Sequence, residues 1–96
     1  MKTRMINFRE KVLQVVREIP KGKVMSYKEV AMRVNVSGAS RAVGTIMKNN
    51  YDTTVPCHRV VRSDGKIGDY NRGGSVEKIN KLKSEGVEII NGKIIL

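Results

Sequence analysis

Residues 26–48 read SYKEVAMRVNVSGASRAVGTIMK, and this stretch decides the fold. Ser26 followed three residues later by Glu29 is a capping box, in which the hydroxyl accepts from the Glu29 amide while the carboxylate reaches back to the Ser26 amide. It predicts a short helix with Val30, Ala31 and Val34 on its apolar side. Asn35 to Gly38 reads as a turn. A second helix is expected from about Ala39 to Lys48, with Ala39, Val43, Ile46 and Met47 on one side and Ser40, Arg41, Gly44, Thr45 and Lys48 on the other. Together they form a helix-turn-helix pattern. On the outward face Ser40, Gly44 and Thr45 are small, leaving Arg41 and Lys48 as the long side chains. Such a face can approach a nucleic-acid backbone closely; Gly44 is equally consistent with tight packing of two helices, and many repressors share the pattern.

Upstream, Asn7 and Glu10 mark a capped helix start, and Phe8, Val12, Val15, Val16 and Ile19 recur at helical spacing, with Pro20 as the expected end. Downstream, Asn49 to Thr54 is a polar loop, and Val55 to Val61 is a mostly apolar run around Cys57, His58 and Arg59. Ser63-Asp64-Gly65 is a turn. Lys66 to Gly74, with Gly68, Gly73 and Gly74 around Tyr70, suits a shaped loop that can wall a pocket. Ser75 is expected to cap a last helix through about Glu85, with Val76, Ile79 and Leu82 inward and Gly86 as its stop. Asn91-Gly92 within the apolar tail suits a type I′ hairpin turn. The expected architecture is an α+β domain dominated by helices: a winged-helix-like helix-turn-helix core, an active-site loop and a C-terminal β-hairpin, over residues 1–96 as one domain.

Composition narrows the partners. Nineteen Lys and Arg against nine Asp and Glu leave a net charge of +10, spread from Lys2 to Lys93, which points to a polyanion or to a solvated basic surface. The single cysteine cannot form an internal disulfide, and the N-terminal stretch, interrupted by Arg4, Asn7, Arg9, Glu10 and Lys11, does not resemble a signal peptide. An intracellular setting is expected, in the cytoplasm or in a nucleus. No window approaches the ~20 apolar residues that span a bilayer, so no membrane role is expected. With one His and one Cys the chain lacks the usual four ligands of a zinc site, and no metal or cofactor is implied.

A cysteine reacts as its thiolate, so a working thiol needs a base or positive charge nearby, and Cys57 has His58 and Arg59 beside it. In an extended segment neighbouring side chains point to opposite faces; contact between Cys57 and His58 requires a bend, which Pro56 can provide, or a bridging water. The residues alone also fit a buried structural cysteine and a satisfied structural histidine.

Pro56-Cys57-His58-Arg59-Val60 resembles, without a substitution, the signature of the O6-alkylguanine-DNA alkyltransferases; by chance such a string would occur in a chain this short on the order of once in 30,000. The resemblance extends from about Phe8 to Gly92 through Ser26-Tyr27, the Arg41-to-Gly44 run, the Gly68-to-Tyr70 loop and Ser84-Glu85-Gly86. It implies double-stranded DNA carrying O6-alkylguanine as partner, bound in the minor groove by the helix-turn-helix, with the damaged base turned out of the stack. By position Arg41 resembles the intercalating arginine, Ser40, Gly44 and Lys48 match phosphate-contacting positions, and Tyr27 matches the tyrosine that rotates the nucleotide and donates to guanine N3. The carbonyls of Cys57 and Val60 would receive the guanine amino group. Glu85 would orient His58, which through a water takes the Cys57 proton.

Departures from the family pattern are equally readable. Most members of the family have a further N-terminal domain, which this chain is expected to lack, as the non-catalytic alkyltransferase-like proteins do; those typically carry tryptophan where Cys57 stands here. The chain is one residue short between Arg41 and Cys57, so Asn49 or Asn50 would brace the active-site turn, Asn49 having the better spacing. The loop after Tyr70 is one residue long, which makes Asn71 the candidate contact to O6. The expected activity is stoichiometric transfer of the alkyl group to Cys57 by a protein for which a monomer suffices. The alternatives are a protein that flags the lesion for another repair pathway and a small helix-turn-helix regulator.

Overall fold

The computed structural model describes residues 7–36 and 38–95. Helix α1 spans Phe8–Arg17, and Asn7 caps it, its Oδ1 accepting from the Glu10 amide at 2.8 Å. The helix stops before Pro20 because the Glu18 and Ile19 amides turn back to the carbonyls of Val15 and Val16, at 3.2 and 3.1 Å, in a tighter closing turn. Helix α2, Tyr27–Arg33, starts on the expected capping box: Ser26 Oγ accepts from the Glu29 amide at 3.0 Å, and Glu29 Oε1 accepts from the Ser26 amide at 3.1 Å. The turn to α3, Ser40–Lys48, passes through left-handed backbone at Asn35, φ 62°, and Gly38, φ 80°. Ser37, within the expected turn, lies outside the described residues.

The three helices bury Val12, Leu13 and Val16, Val30 and Ala31, and Val43 and Met47 against one another, and Val55, Cys57, Val60 and Tyr70 join the same apolar cluster. The reactive-cysteine candidate is thus built into the packing of the helix-turn-helix. Two elements too short to carry any alternation hold it there: β1, Met25–Ser26, pairs in parallel with β2, Val60–Val61, in the register Met25 to Val60 and Ser26 to Val61. That ladder sets the start of α2 beside the segment that follows Cys57.

Helix α4 spans Gly74–Ser84, and its start and face correct the expectation. Gly73, at φ 115°, occupies the cap position, and Ser75 sits inside the first turn without a capping bond. Val76 is 70% exposed, whereas Lys78 is only 1% exposed. At about 100° per residue Val76 lies about 120° round the axis from Leu82, while Lys78 and Glu85 flank Leu82 on the inward side. The hairpin forms as expected: β3, Ile89–Ile90, pairs antiparallel with β4, Lys93–Ile94, across Asn91 and Gly92, both with positive φ. It docks through Ile94, whose amide donates to the Gly65 carbonyl at 2.8 Å and whose side chain joins Val61, Ile67, Leu82 and Val87 in a second apolar cluster. Among the described residues no helix is long and apolar enough to cross a membrane.

Because Ser26→Ala removes the Oγ that accepts from the Glu29 amide, it should cost about 1 kcal/mol and lower the melting temperature by roughly 4–8 °C for a domain of this size. Thermal unfolding followed by circular dichroism measures it; an unchanged midpoint would mean that the β1–β2 ladder alone fixes the helix start.

Candidate active site

Cys57, His58 and Arg59 form a single 3-10 turn. Pro56, at φ −78° and ψ 70°, is the centre of an inverse γ-turn in which the Cys57 amide donates to the Val55 carbonyl at 2.8 Å. The Arg59 amide then closes on the Pro56 carbonyl at 2.9 Å. The bend is the one that Pro56 suggested, and it fans three consecutive side chains about 120° apart instead of alternating them between two faces.

The outermost of the three acts as a clamp. Arg59 Nε and Nη2 donate to the two oxygens of Glu85 at 3.0 and 2.7 Å, and Nη1 donates to the Ile19 carbonyl at 2.8 Å. The guanidinium thereby joins the end of α1, the 3-10 turn and the end of α4. Its hydrogen bonds hold the Glu85 carboxyl down at about 2. Glu85 Oε2 also lies 2.9 Å from His58 Nε2. Burial is the main cause that pushes the His58 pKa below its usual value; Glu85 pulls the other way, and Arg59 and Lys81 add to the depression. A neutral imidazole facing an ionised carboxylate must carry its proton on Nε2, which leaves Nδ1 as a free acceptor. Glu85 therefore fixes the tautomer of His58.

On the sulfur side, the bracing asparagine is Asn50 and not Asn49. Asn50 is 1% exposed, and its Nδ2 donates to Cys57 Sγ at 3.0 Å. Its Oδ1 accepts from the Asp52 amide at 3.3 Å, which settles which end of the amide faces the sulfur. Asn49 instead caps α3, with Nδ2 on the Thr45 carbonyl at 3.1 Å. The physical reason is that α3 closes at Lys48, so the next residue still follows the helix and only the one after turns inward.

Cys57 is 4% exposed and lies on the wall of a cleft of about 890 Å³. The same wall carries Tyr27, Ser40, Arg41, Gly44, Lys48, Tyr70 and Asn71, so most of the residues expected at a site meet here. Val60 is fully buried in the core, and His58 and Glu85 stand behind the wall. Sequence reasoning missed Lys28 and Arg62, which add two cations to the lining; the charge excess was the one signal of them. Ala39, at the cap position of α3, offers no side-chain acceptor to the first turn. A Cβ on Gly44 would meet nothing within 4 Å, so this glycine faces open space and does not serve helix packing.

Asn71 lines the cleft but is engaged elsewhere. Its Nδ2 donates to the Lys48 and Asn50 carbonyls at 2.7 and 2.8 Å, which uses both amide protons. The remaining Oδ1 is an acceptor, so it cannot donate to a carbonyl or ether oxygen. Asn71 thus ties the glycine-rich loop to the end of α3 and does not present a proton to O6. Its Oδ1 and the Tyr70 hydroxyl are buried with no hydrogen-bond partner among the described residues.

Residues 7–87 match the model of the 6-O-methylguanine DNA methyltransferase DNA-binding domain. The chain belongs to this family. It is 42% identical over 82 residues to the methylated-DNA–protein-cysteine methyltransferase of Methanothermobacter thermautotrophicus, a match that covers 85% of this chain and 46% of that one. It is 44% identical over 89 residues to alkyltransferase-like protein 1 of Schizosaccharomyces pombe, covering 90% and 82%. The solved structure of S. pombe Atl1 in complex with damaged DNA containing O6-carboxymethylguanine superposes with a TM-score of 0.81 at 38% identity, covering 98% of this chain and 92% of that one. The chain spans about half or less of the length of the methyltransferases it matches, and most of the alkyltransferase-like protein. The winged, mainly helical α+β architecture is shared with these alkyltransferase domains.

The Arg59–Glu85 clamp makes stability depend on pH in a definite direction. The Glu85 carboxyl sits at about 2 against an ordinary 4.5, so its contribution is complete above about pH 4.5 and is lost as the pH falls toward 2. Urea unfolding of the wild type should show this loss between those values, and Glu85→Gln should flatten it. Parallel curves for the two proteins would mean that the clamp carries no ionic stabilisation.

Proposed function

We propose that the protein reverses alkylation damage directly, accepting the alkyl group of an O6-alkylguanine in duplex DNA onto Cys57, once per molecule. The observation that carries this reading is the sulfur itself: it forms part of a cationic cleft, with an amide donor at 3.0 Å and an oriented neutral histidine on the adjoining residue. A cysteine kept for packing alone needs none of these.

The cleft suits an extruded base. Guanine O6 is hidden within the base stack, and turning the nucleotide out costs a few kcal/mol, least when the base is damaged. Arg41, on the exposed face of α3, fills the space that the base leaves; Ser40, Gly44 and Lys48 meet the flanking phosphates. Tyr27, whose pKa is raised chiefly by burial, keeps its proton and donates it to N3 of the purine.

The Cys57 proton passes through one water to His58 Nδ1, and Glu85 stabilises the imidazolium that forms. The thiolate attacks the alkyl carbon, the S–C bond forms as the C–O6 bond breaks, and the electron pair moves into the purine. The proton lost by the thiol is returned to guanine N1, so the products are unmodified guanine and a thioether. No residue in the cleft is placed to hydrolyse that thioether, and the protein is consumed.

A second reading rests on the near-complete superposition with Atl1: the chain binds the lesion without removing it. Intact-mass measurement separates the two. After incubation with duplex DNA carrying O6-methylguanine, the protein should gain one methyl group, and Cys57→Ala should gain none; tight, lesion-selective binding with unchanged mass would establish recognition alone.

Asn50 and Asn49 give an internal control. Asn50→Ala removes a charge-assisted bond to the thiolate and should slow transfer roughly 10- to 100-fold, while Asn49→Ala, which removes a helix cap, should leave the rate nearly unchanged. Single-turnover kinetics decide it, and equal effects would refute the assignment.

A further inference from the structure

Lys78 takes no part in the chemistry above, yet its placement is abnormal for a lysine. It is 1% exposed, and among the described residues no carboxylate lies within 4 Å of its Nζ. Nζ instead donates to the Asp69 carbonyl at 3.1 Å, stands 3.5 Å from Tyr27 Oη, and lies 5.7 Å from the centroid of the Tyr27 ring. Burying an ammonium is unfavourable unless partners compensate it, so a hydrophobic residue at this position would stabilise the fold more. What the lysine provides is directional.

An ammonium has three donors and no acceptor, so the Tyr27 hydroxyl can only accept from it. We propose that Lys78 is a positioning residue that fixes the polarity of the Tyr27 hydroxyl, turning its proton into the cleft as a donor to the extruded purine. The inference rests on the role given to Tyr27 in the repair reading.

An independent feature holds the same hydroxyl in place. Gly68, at φ +79°, passes so close that a Cβ there would stand 3.2 Å from Tyr27 Oη, and its neighbour Asp69 supplies the second acceptor for Lys78. Lysine, tyrosine and glycine-rich loop are therefore one unit. The charged or titratable groups that bear on Lys78 are Asp69 of the loop and Cys57 of the 3-10 turn, both favouring the ammonium, together with the Tyr27 phenol of α2. Against them burial dominates and pushes the lysine down to about 8. Once neutral, the amine can itself accept, and the Tyr27 proton can turn away from the cleft.

The test is a double-mutant cycle on the single-turnover rate with saturating O6-methylguanine duplex. Lys78→Met, which keeps the stem and removes the charge, should slow transfer about tenfold in the presence of Tyr27 and by less than about twofold in a Tyr27→Phe background. The melting temperature should be unchanged or higher. A measurement that needs no Lys78 variant is the ratio of wild-type to Tyr27→Phe rates against pH: it should fall as the pH rises through about 8, because the tyrosine loses its orientation there. Equal slowing in both backgrounds, or a ratio that does not change with pH, would overturn the proposal. If the wild type binds the lesion but gains no mass, the repair reading fails on its own. The same cycle is then read on the preference for lesion over undamaged duplex: a loss confined to proteins with Tyr27 supports Lys78, and an equal loss overturns it.

Discussion

One guanidinium holds this site together. Arg59 spans Glu85 with two hydrogen bonds and reaches the Ile19 carbonyl with a third, so the ends of α1 and α4 are fixed to the turn that carries Cys57. A planar fork suits this better than a point charge, because both carboxylate oxygens are engaged while one of them still faces His58. The same carboxylate that pairs with Arg59 thereby fixes the tautomer of His58. Were Glu85 shared with His58 alone, its charge would raise the imidazole toward protonation; with the carboxylate already neutralised by Arg59, burial prevails and the ring stays neutral.

The sulfur is treated on the opposite principle. It is packed into the main apolar cluster, and among the described residues the one side chain that donates to it there is the buried amide of Asn50. Asn50 is in turn fixed from two sides, by the Asp52 amide on its Oδ1 and by Asn71 on its carbonyl. The cysteine therefore depends on the loop from Gly68 to Gly74 as well as on its own turn. A change in that loop should be felt at the sulfur even where no loop atom touches it.

How much of this was legible in the sequence follows from what carries each feature. Caps and hairpin turns are local, so Asn7, Ser26 with Glu29, and Asn91-Gly92 were readable residue by residue. The β1–β2 pair was not, because two residues hold no alternation and their pairing partner lies more than thirty positions away. The choice between Asn49 and Asn50 failed on a single residue of helix length, since spacing to Cys57 measures sequence and not the point where α3 lets go of the chain. Helix α4 misled for another reason. Its most hydrophobic early residue, Val76, faces solvent, and an amphipathic reading has no means to place a lysine in the core.

That lysine shows where pattern and function part. Binary patterning predicts positions that exist to be buried, and conflicts with it collect where a side chain is retained for direction or charge. Three such conflicts surround the cleft: Asn50 in the core, Lys78 in the core, and Gly44 in the middle of a helix where an added Cβ would meet nothing. Each weakens the fold by an ordinary accounting of propensity or desolvation. All three border the same 890 Å³ of space or the atoms that line it. Their convergence ties the cost to one place, and it marks that place as the candidate site on grounds separate from the cysteine motif.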